Sequence, residues 1–161
     1  MHYKEGESYR TRPLAASQTF KAGAPIVGSA GTFQEAGAAP QSIVGFATAG
    51  AAEYAWKHDT FGTVKPAVPV ALADQEFRGT LASSASGSDG YEVGPNPQSI
   101  VGSAFGLVVD ANTGYWVLNK AVTTGNGAIA KVTGVDKEVQ EGDFNPPVRF
   151  VIIPSARDVI A

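Results

Sequence analysis

The sequence lacks the residue types on which several kinds of function depend. Its 161 residues include no cysteine and only two histidines, His2 and His58. Without cysteine the chain has no disulfide bond, thiolate metal ligand or cysteine nucleophile. With two separated histidines and no H-x-x-x-H pair, an ordinary zinc site is excluded as well. The fold must therefore be held by packing, by backbone pairing or by a partner.

Charged side chains are also scarce, at 17% of the residues, and the net charge is −3. No basic cluster exceeds two residues, which argues against a nucleic-acid partner bound through its phosphates. No apolar stretch reaches the length of a membrane span, and the N-terminus has no apolar leader region. We therefore expect no membrane partner and synthesis in a cytoplasm.

The sequence offers no recognisable constellation for catalysis. A Ser-His-Asp system would have to use His58, which Asp59 follows directly, and adjacent side chains generally point apart. No G-x-S-x-G, Walker A or dinucleotide-binding motif is present. The four acidic residues between positions 136 and 143 lack the spacing of a calcium loop and indicate a solvated acidic loop. We predict that the chain is not an enzyme and uses no cofactor or metal.

What the sequence does contain is one pattern that occurs twice, 57 residues apart. E-x-G-x-x-P-Q-S-I-V-G-x-A spans residues 35–47 and returns at residues 92–104. Both copies lead from turn residues into a short apolar run closed by glycine, which is typical of a loop entering a β-strand. Because the flanking sequences differ, we interpret the pattern as one strand-entry segment used twice within a single β-domain. We expect Gly45 and Gly102 to serve backbone geometry or close packing.

Short apolar runs separated by glycine and proline predict an all-β fold. The expected architecture is a short-stranded β-barrel or sandwich, jelly-roll-like or tulip-like, with an extended N-terminal arm. At most one short helix is expected, within the alanine-rich segment Ala47–Lys57. The predicted strands cover residues 25–27, 32–35, 42–47, 64–72, 76–81, 105–109, 115–118, 128–132 and 148–153.

Several of these strands carry a more specific prediction. Phe105–Leu118 is the clearest hairpin, with Asp110–Gly114 as its turn. The step Asn126-Gly127 favours a type I′ hairpin turn. Prolines within residues 64–72 predict an edge strand, because proline cannot donate to a ladder. The apolar run 148–153 predicts a central strand.

The first 18 residues differ from the rest because they interleave tyrosine with charged side chains and show no apolar periodicity. They are either a frayed terminus or an arm lying on a neighbouring subunit, and tyrosine and arginine are both enriched at interfaces. We divide the chain into an arm at 1–18 and a single β-domain at 19–161, with a flexible Ser/Gly-rich loop at about 82–97.

Some side chains are candidates for binding a partner protein. Trp56 precedes three polar residues and is a candidate exposed anchor. Arg149 stands alone in an apolar strand, where we expect it to point away from Phe150. With the residues of the arm, the candidate partner-binding residues are Tyr3, Lys4, Tyr9, Arg10, Arg12, Trp56 and Arg149.

One segment carries a family resemblance. Residues 20–27 read F-K-A-G-A-P-I-V, residues 31–36 read G-T-F-Q-E-A, and residues 43–47 read I-V-G-F-A. This order resembles a phrase of tailed-bacteriophage capsid decoration (cement) proteins: G-x-P-V, a turn, G-x-hydrophobic, then I-V-G-hydrophobic-A. The segments Leu107–Trp116 and Pro147–Ile153 also look like structural proteins of phage heads. Together these pieces cover roughly a third of the chain.

The resemblance implies a structural virion protein on the outer surface of an expanded capsid. Such a protein cements neighbouring major capsid protein subunits and associates with itself, as a homotrimer or alternatively a dimer. No catalytic residues come with the family. Two other functions stay open: another virion β-domain, associated with a tail or fibre, and a carbohydrate-binding β-sandwich, which Trp56 and Trp116 would suit.

Overall fold

The computed structural model describes residues 9–55, 67–82 and 91–158. Within these ranges short β-strands dominate and the single α-helix has five residues, which confirms the predicted all-β class with at most one short helix. The backbone contacts group the chain into two compact units. Unit 1 comprises the chain up to Ala36, Ser42–Gln75 and the chain from Arg157 onward. Unit 2 comprises Gly37–Gln41 and Glu76–Ala156.

Unit 1 is built on one antiparallel sheet. Its strands are β1 (Tyr9–Pro13), β2 (Pro25–Ser29), β3 (Thr32–Glu35), β4 (Gly45–Ala47) and β5 (Ala67–Leu72), in the order β1-β5-β4-β2-β3. The two outer strands come together just beyond β1. There Leu14 bridges Phe33, and the Ala15 N–H donates to the Phe33 carbonyl at 2.8 Å. The sheet therefore curls until its two edges share a hydrogen bond, which leaves little edge open.

The unit 1 core combines side chains of the sheet with side chains of the segments beside it. Its largest fully buried side chains are Ile26, Phe33, Ile43 and Val70. The helix α1 (Ala51–Ala55) begins where the Ala51 N–H donates to the Phe20 carbonyl at 2.9 Å. No helix among the described residues is long and apolar enough to cross a membrane.

Strand β5 lies inside the sheet, so its prediction as an edge strand is wrong. It pairs with β4 on one side and with Tyr9–Pro13 on the other. Pro69 is tolerated because it lies beside Thr48, just past the end of the three-residue β4, where its carbonyl accepts the Thr48 N–H at 3.3 Å. Its missing N–H therefore removes no bond from the interior of the β4 ladder.

Unit 2 is a closed five-stranded barrel. Its strands are β6 (Glu76–Ala82), β7 (Ala104–Val109), β8 (Trp116–Asn119), β9 (Ala130–Val135) and β10 (Pro147–Ile152), in the order β10-β6-β8-β7-β9. All neighbours are antiparallel except β6 and β8. The strand β10 pairs with β6 and β9, as expected for a central strand. Short 3-10 turns occupy Pro97–Ile100 and Pro154–Ala156.

The barrel interior is filled by alternate side chains of its strands. In β10 the side chains of Val148, Phe150 and Ile152 are buried, whereas Arg149 is exposed, which confirms that Arg149 points away from Phe150. Gly79 and Gly106 face crowded positions, where an added Cβ would lie 2.9 Å from neighbouring side-chain atoms. Glycine at these two positions leaves room for side chains of Leu118 and Phe150, on the strands flanking β6, and of Val122, just after β8.

The predicted hairpin at 105–118 is present as β7 and β8, paired from Gly106–Asn119 to Val109–Trp116. Asp110 organises its turn: the carboxylate accepts the Asn112 N–H at 2.9 Å and the Thr113 hydroxyl at 2.8 Å. Both bonds hold the pKa of the Asp110 carboxyl below its ordinary value, and the bond from Asn112 has the larger effect.

The Asn126-Gly127 turn does not have the predicted geometry. The Ala128 N–H donates to the Gly125 carbonyl at 3.2 Å, so Asn126 and Gly127 are the central residues of the turn. A type I′ turn requires positive φ at both central residues, and neither has it. The positive φ is at Gly125 instead, at 75°.

The two copies of the repeat fold differently. In the first copy Val44 is buried and leads directly into β4. In the second copy Pro97–Ile100 form a 3-10 turn, Val101 is 41% exposed, and β7 starts only at Ala104. The two closing glycines also act differently: a Cβ on Gly45 would overlap the Ala71 carbonyl oxygen, whereas Gly102 has a φ of 90°. Close packing at Gly45 and backbone geometry at Gly102 confirm the expected structural roles.

Replacing these two glycines by alanine should therefore destabilise the protein for different reasons. Gly45→Ala forces β4 away from β5 and should cost at least the 1–3 kcal/mol that is typical of overpacking. Gly102→Ala meets no atom within 4 Å, so it should cost only about 1–2 kcal/mol, for the left-handed backbone. Urea unfolding followed by circular dichroism measures both.

The control for this comparison is Gly37→Ala, the first glycine of the first copy. It has neither a neighbour within 4 Å of an added Cβ nor a positive φ. Its stability should be unchanged or slightly higher, because alanine restricts the unfolded chain. Equal losses for Gly45→Ala and Gly37→Ala would contradict the packing argument.

Asp110 should make the stability of unit 2 depend on acid pH. Since its folded pKa is lowered, its contribution is complete above the unfolded pKa and is lost as the pH falls through the folded pKa. Asp110→Asn should therefore melt at a lower temperature than the parent protein at neutral pH. The difference in melting temperature should vanish in acid. Thermal melts of both proteins at a series of pH values measure it. A difference that persists below the folded pKa would show that the charge of Asp110 is not the cause.

Candidate functional site

A surface cavity of about 250 Å³ lies within unit 1. Residues from four separate parts of the chain surround it, namely Arg10, Val44, Leu72, Ala73, Asp74, Arg157 and Asp158. Two hydrogen bonds assemble its walls. The Ala73 N–H donates to the Val44 carbonyl at 2.9 Å, and the Asp158 N–H donates to the Ile43 carbonyl at 2.8 Å. The residues 157–158 thus join the segment that precedes β4.

The cavity combines an apolar floor with charges of both signs. Val44 and Ala73 are buried, whereas the two aspartates and Arg10 are exposed. Guanidinium groups bind carboxylates in a fixed, bidentate geometry, and carboxylates accept from ammonium or guanidinium groups. A ligand with both signs of charge matches this lining, and the surface of another protein offers such a combination.

Of the three proposed arm residues that the structure describes, Tyr9, Arg10 and Arg12, only Arg10 lines this cavity. Tyr9 and Arg12 are half-buried in β1, and the Arg12 guanidinium lies 5.8 Å from the centre of the Phe33 ring. A cation–π contact of this kind uses Arg12 within unit 1. Tyr3, Lys4 and Trp56 lie outside the described residues.

Arg149 belongs to a polar network on the outside of the unit 2 barrel. Directly across the β6–β10 ladder stands Arg78, a like charge that alone would be unfavourable. Two carboxylates offset this: Asp136 pairs with Arg78, and Glu76 lies 3.9 Å from Arg149. Glu76 is itself held by the Thr133 hydroxyl, which donates to it at 2.6 Å.

A glycine supports the Arg149 side chain from the other side. Gly134 is the partner of Arg149 in β9, and an added Cβ there would collide with the guanidinium. The guanidinium therefore lies over Gly134 of β9, with Glu76 nearby. Its side chain remains 48% exposed, so it is positioned but accessible.

Sequence reasoning missed the most exposed of the described aromatic side chains, Phe144, which is 66% exposed. Its backbone is fixed although its side chain is not covered: it bridges Glu92, and next to it the Asn145 N–H donates to the Tyr91 carbonyl at 2.8 Å. The Asn145 side chain in turn accepts the Tyr91 N–H at 2.7 Å. The signal in the sequence was a phenylalanine between an acidic loop and two prolines. Rigid exposed aromatic side chains are common anchors of protein interfaces.

Two of the four carboxylates of the acidic loop beside Phe144 are engaged within unit 2. Asp136 pairs with Arg78, and Asp143 accepts the Gln140 N–H at 2.8 Å. Across residues 9–55, 67–82 and 91–158, no group of three or more metal-ligating side chains lies close enough together to hold an ion.

Comparison with known proteins does not identify a function for this chain. No protein-family model and no curated protein sequence matches it. What the chain can bind must be inferred from the cavity of unit 1, from the polar network around Arg149, and from Phe144.

The network around Arg149 should contribute little to stability. Exposed ion pairs are worth about 0–1 kcal/mol, so Arg149→Ala should lower the free energy of unfolding by no more than that. Gly134→Ala should also fold, because only the far end of a flexible side chain has to move. Urea unfolding measures stability, and the NMR shift of the Arg149 Nε–H reports the displacement in Gly134→Ala. A loss of several kcal/mol in Arg149→Ala would instead assign this side chain to the framework of the barrel.

Proposed function

We propose that this chain is a structural virion protein of a tailed phage. It binds the outer surface of the capsid and cements neighbouring major capsid protein subunits. One observation supports this proposal above others: the residues that resemble capsid decoration proteins form one piece of sheet. They supply β2, β3 and β4, which are direct neighbours in unit 1, and the glycine of the I-V-G phrase packs tightly against β5.

A cement protein needs rigid surfaces more than it needs a reactive site. Three of the five strands of unit 1 and all five strands of unit 2 pair on both sides, and β10 and β6 carry the Arg149 network on such a framework. Side chains that are already positioned lose less conformational entropy when they bind. Arg149, seated between Gly134 and Glu76, and Phe144, on its fixed backbone, meet this requirement.

The surface charges suit a protein partner. The cavity of unit 1 and the network of unit 2 each combine arginine with carboxylates, so neither presents a field of a single sign. Charges of both signs favour specificity and register over strong nonspecific attraction. In an assembly with many copies, several weak contacts sum through avidity, and self-association as a homotrimer or dimer would add to this effect.

The deciding experiment measures binding to purified phage heads. We expect saturable binding to expanded shells and no binding to immature ones, together with density for this chain on the outer surface in electron microscopy. Images of native particles without such density on the shell would overturn the proposal. Density on the tail or a fibre would favour the alternative of another virion β-domain.

Two variants identify the part of unit 2 that makes contact. Arg149→Ala and Gly134→Ala should both weaken shell binding more than they change the melting temperature, because the first removes the guanidinium and the second displaces it. Lys137→Ala serves as the control, because it removes one exposed positive charge and leaves Arg149 and Gly134 unchanged. An equal effect of all three substitutions would point to net charge, and unchanged binding in both Arg149→Ala and Gly134→Ala would exclude this surface.

The arm needs a deletion that spares the sheet. Because Tyr9–Pro13 form β1, removing residues 1–18 would take away a strand that pairs along β5. Removing residues 1–8 leaves that strand intact. If the arm contacts a neighbouring subunit, this shorter deletion should weaken assembly while unit 1 stays folded. An unchanged binding curve would refute the role of the arm.

A further inference from the structure

The turn that precedes β9 places an asparagine next to a glycine in an accessible position. Asn126 is exposed, and Asn126 and Gly127 are the two central residues of the turn closed by Ala128 and Gly125. Among the residues that the structure describes, no hydrogen bond uses the Asn126 side-chain amide or the Gly127 N–H. Because Gly127 has no Cβ, no side chain of its own shields its backbone nitrogen.

We propose that Asn126 is a site of spontaneous deamidation, with water as the only co-reactant. The Gly127 backbone nitrogen gives up its proton and attacks Cγ of Asn126. A C–N bond forms, the bond to the side-chain nitrogen breaks, and ammonia leaves, which produces a five-membered succinimide. Water then adds to either ring carbonyl and opens the ring to aspartate or isoaspartate. The net change is an amide plus water to a carboxylic acid plus ammonia, with no oxidation or reduction.

The other asparagines of the chain lack the features that this reaction requires. Asn96 and Asn145 are each followed by proline, whose nitrogen carries no hydrogen and cannot close the ring. Asn119 is only 3% exposed, and its side-chain oxygen accepts the Ala121 N–H at 2.9 Å.

Asn112 is the remaining asparagine and the closest comparison. The residue after it is Thr113, whose β-branched side chain crowds the attacking nitrogen. The Thr113 N–H is also engaged, because it contributes a hydrogen bond to the Asp110 carboxylate. Of the five asparagines in the sequence, Asn126 alone combines exposure, an unshielded neighbour and an unused N–H.

The two products should affect unit 2 differently. Aspartate adds one negative charge on an exposed side chain and leaves the backbone unchanged. Isoaspartate routes the main chain through Cβ and so lengthens the turn. Two hydrogen bonds hold this turn, from the Ala128 N–H to the Gly125 carbonyl and from the Ile129 N–H to the Gly127 carbonyl. The residues that follow, Ala128 to Ala130, are buried in the barrel, so a longer turn should disturb the core.

The experiment ages the intact protein in warm, mildly alkaline buffer and follows each asparagine by peptide mapping with mass spectrometry. Enzymatic methylation of isoaspartate quantifies that product. We expect Asn126 to convert several-fold faster than Asn112 or Asn119. The aged protein should melt at a lower temperature, whereas freshly prepared Asn126→Asp should melt like the parent protein.

Gly127→Ala is the matched variant for the mechanism. Gly127 has no positive φ, and an added Cβ would lie 3.4 Å from Val122, so alanine fits the turn. This variant should deamidate at Asn126 several-fold more slowly. Conversion of Asn112 as fast as that of Asn126 in the parent protein would overturn the proposal, and so would an unchanged rate in a folded Gly127→Ala. If that variant fails to fold, the comparison of Asn126 with Asn112 in the parent protein still decides.

Discussion

The structure depends on closing sheets made of very short strands. Strands of three to seven residues bury little surface each, and without cysteine no covalent bond compensates. Closure solves this problem because every strand then finds a partner on both sides. Unit 2 closes completely, and in unit 1 the two outer strands meet at Leu14 and Phe33. Close packing explains three glycines: Gly45 lies against the backbone of Ala71, whereas Gly79 and Gly106 leave room for neighbouring side chains.

Local patterns predicted the parts of the fold that local pairing makes. The β7–β8 hairpin was predictable because its turn residues and both strands are adjacent in sequence. Strand β1 was not, because its only signal is its partner β5, which lies more than fifty residues away. The prolines made β5 resemble an edge strand, because its pairing with the distant β1 has no local signal. The repeat shows the limit of such patterns, since Val44 and Val101 occupy equivalent positions and one is buried while the other is exposed.

For the candidate sites, too, the sequence predicted what has a local signal and missed what depends on distant segments. Arg149 could be selected from sequence because a charge in an apolar strand must point outward. Its seat on Gly134 and its pairing with Glu76 required the strand register, which no local pattern specifies. The cavity of unit 1 was unpredictable because Arg157 and Asp158 reach it through a bridge to Ile43. The candidate binding surfaces thus arise where the strand register brings distant segments together.

The bridge between Ile43 and Arg157 also has a consequence for biosynthesis. After Gln75 the chain builds all of β6 to β10, and it returns to unit 1 at Arg157. A ribosome therefore synthesises all five barrel strands before the wall beside Ile43 can form. Contacts between such distant segments slow folding, because a long loop must close before they gain any energy. All five barrel strands lie between Glu76 and Ile152, so the barrel can form first, while the cavity in unit 1 can be completed only after Arg157 and Asp158 have been synthesised.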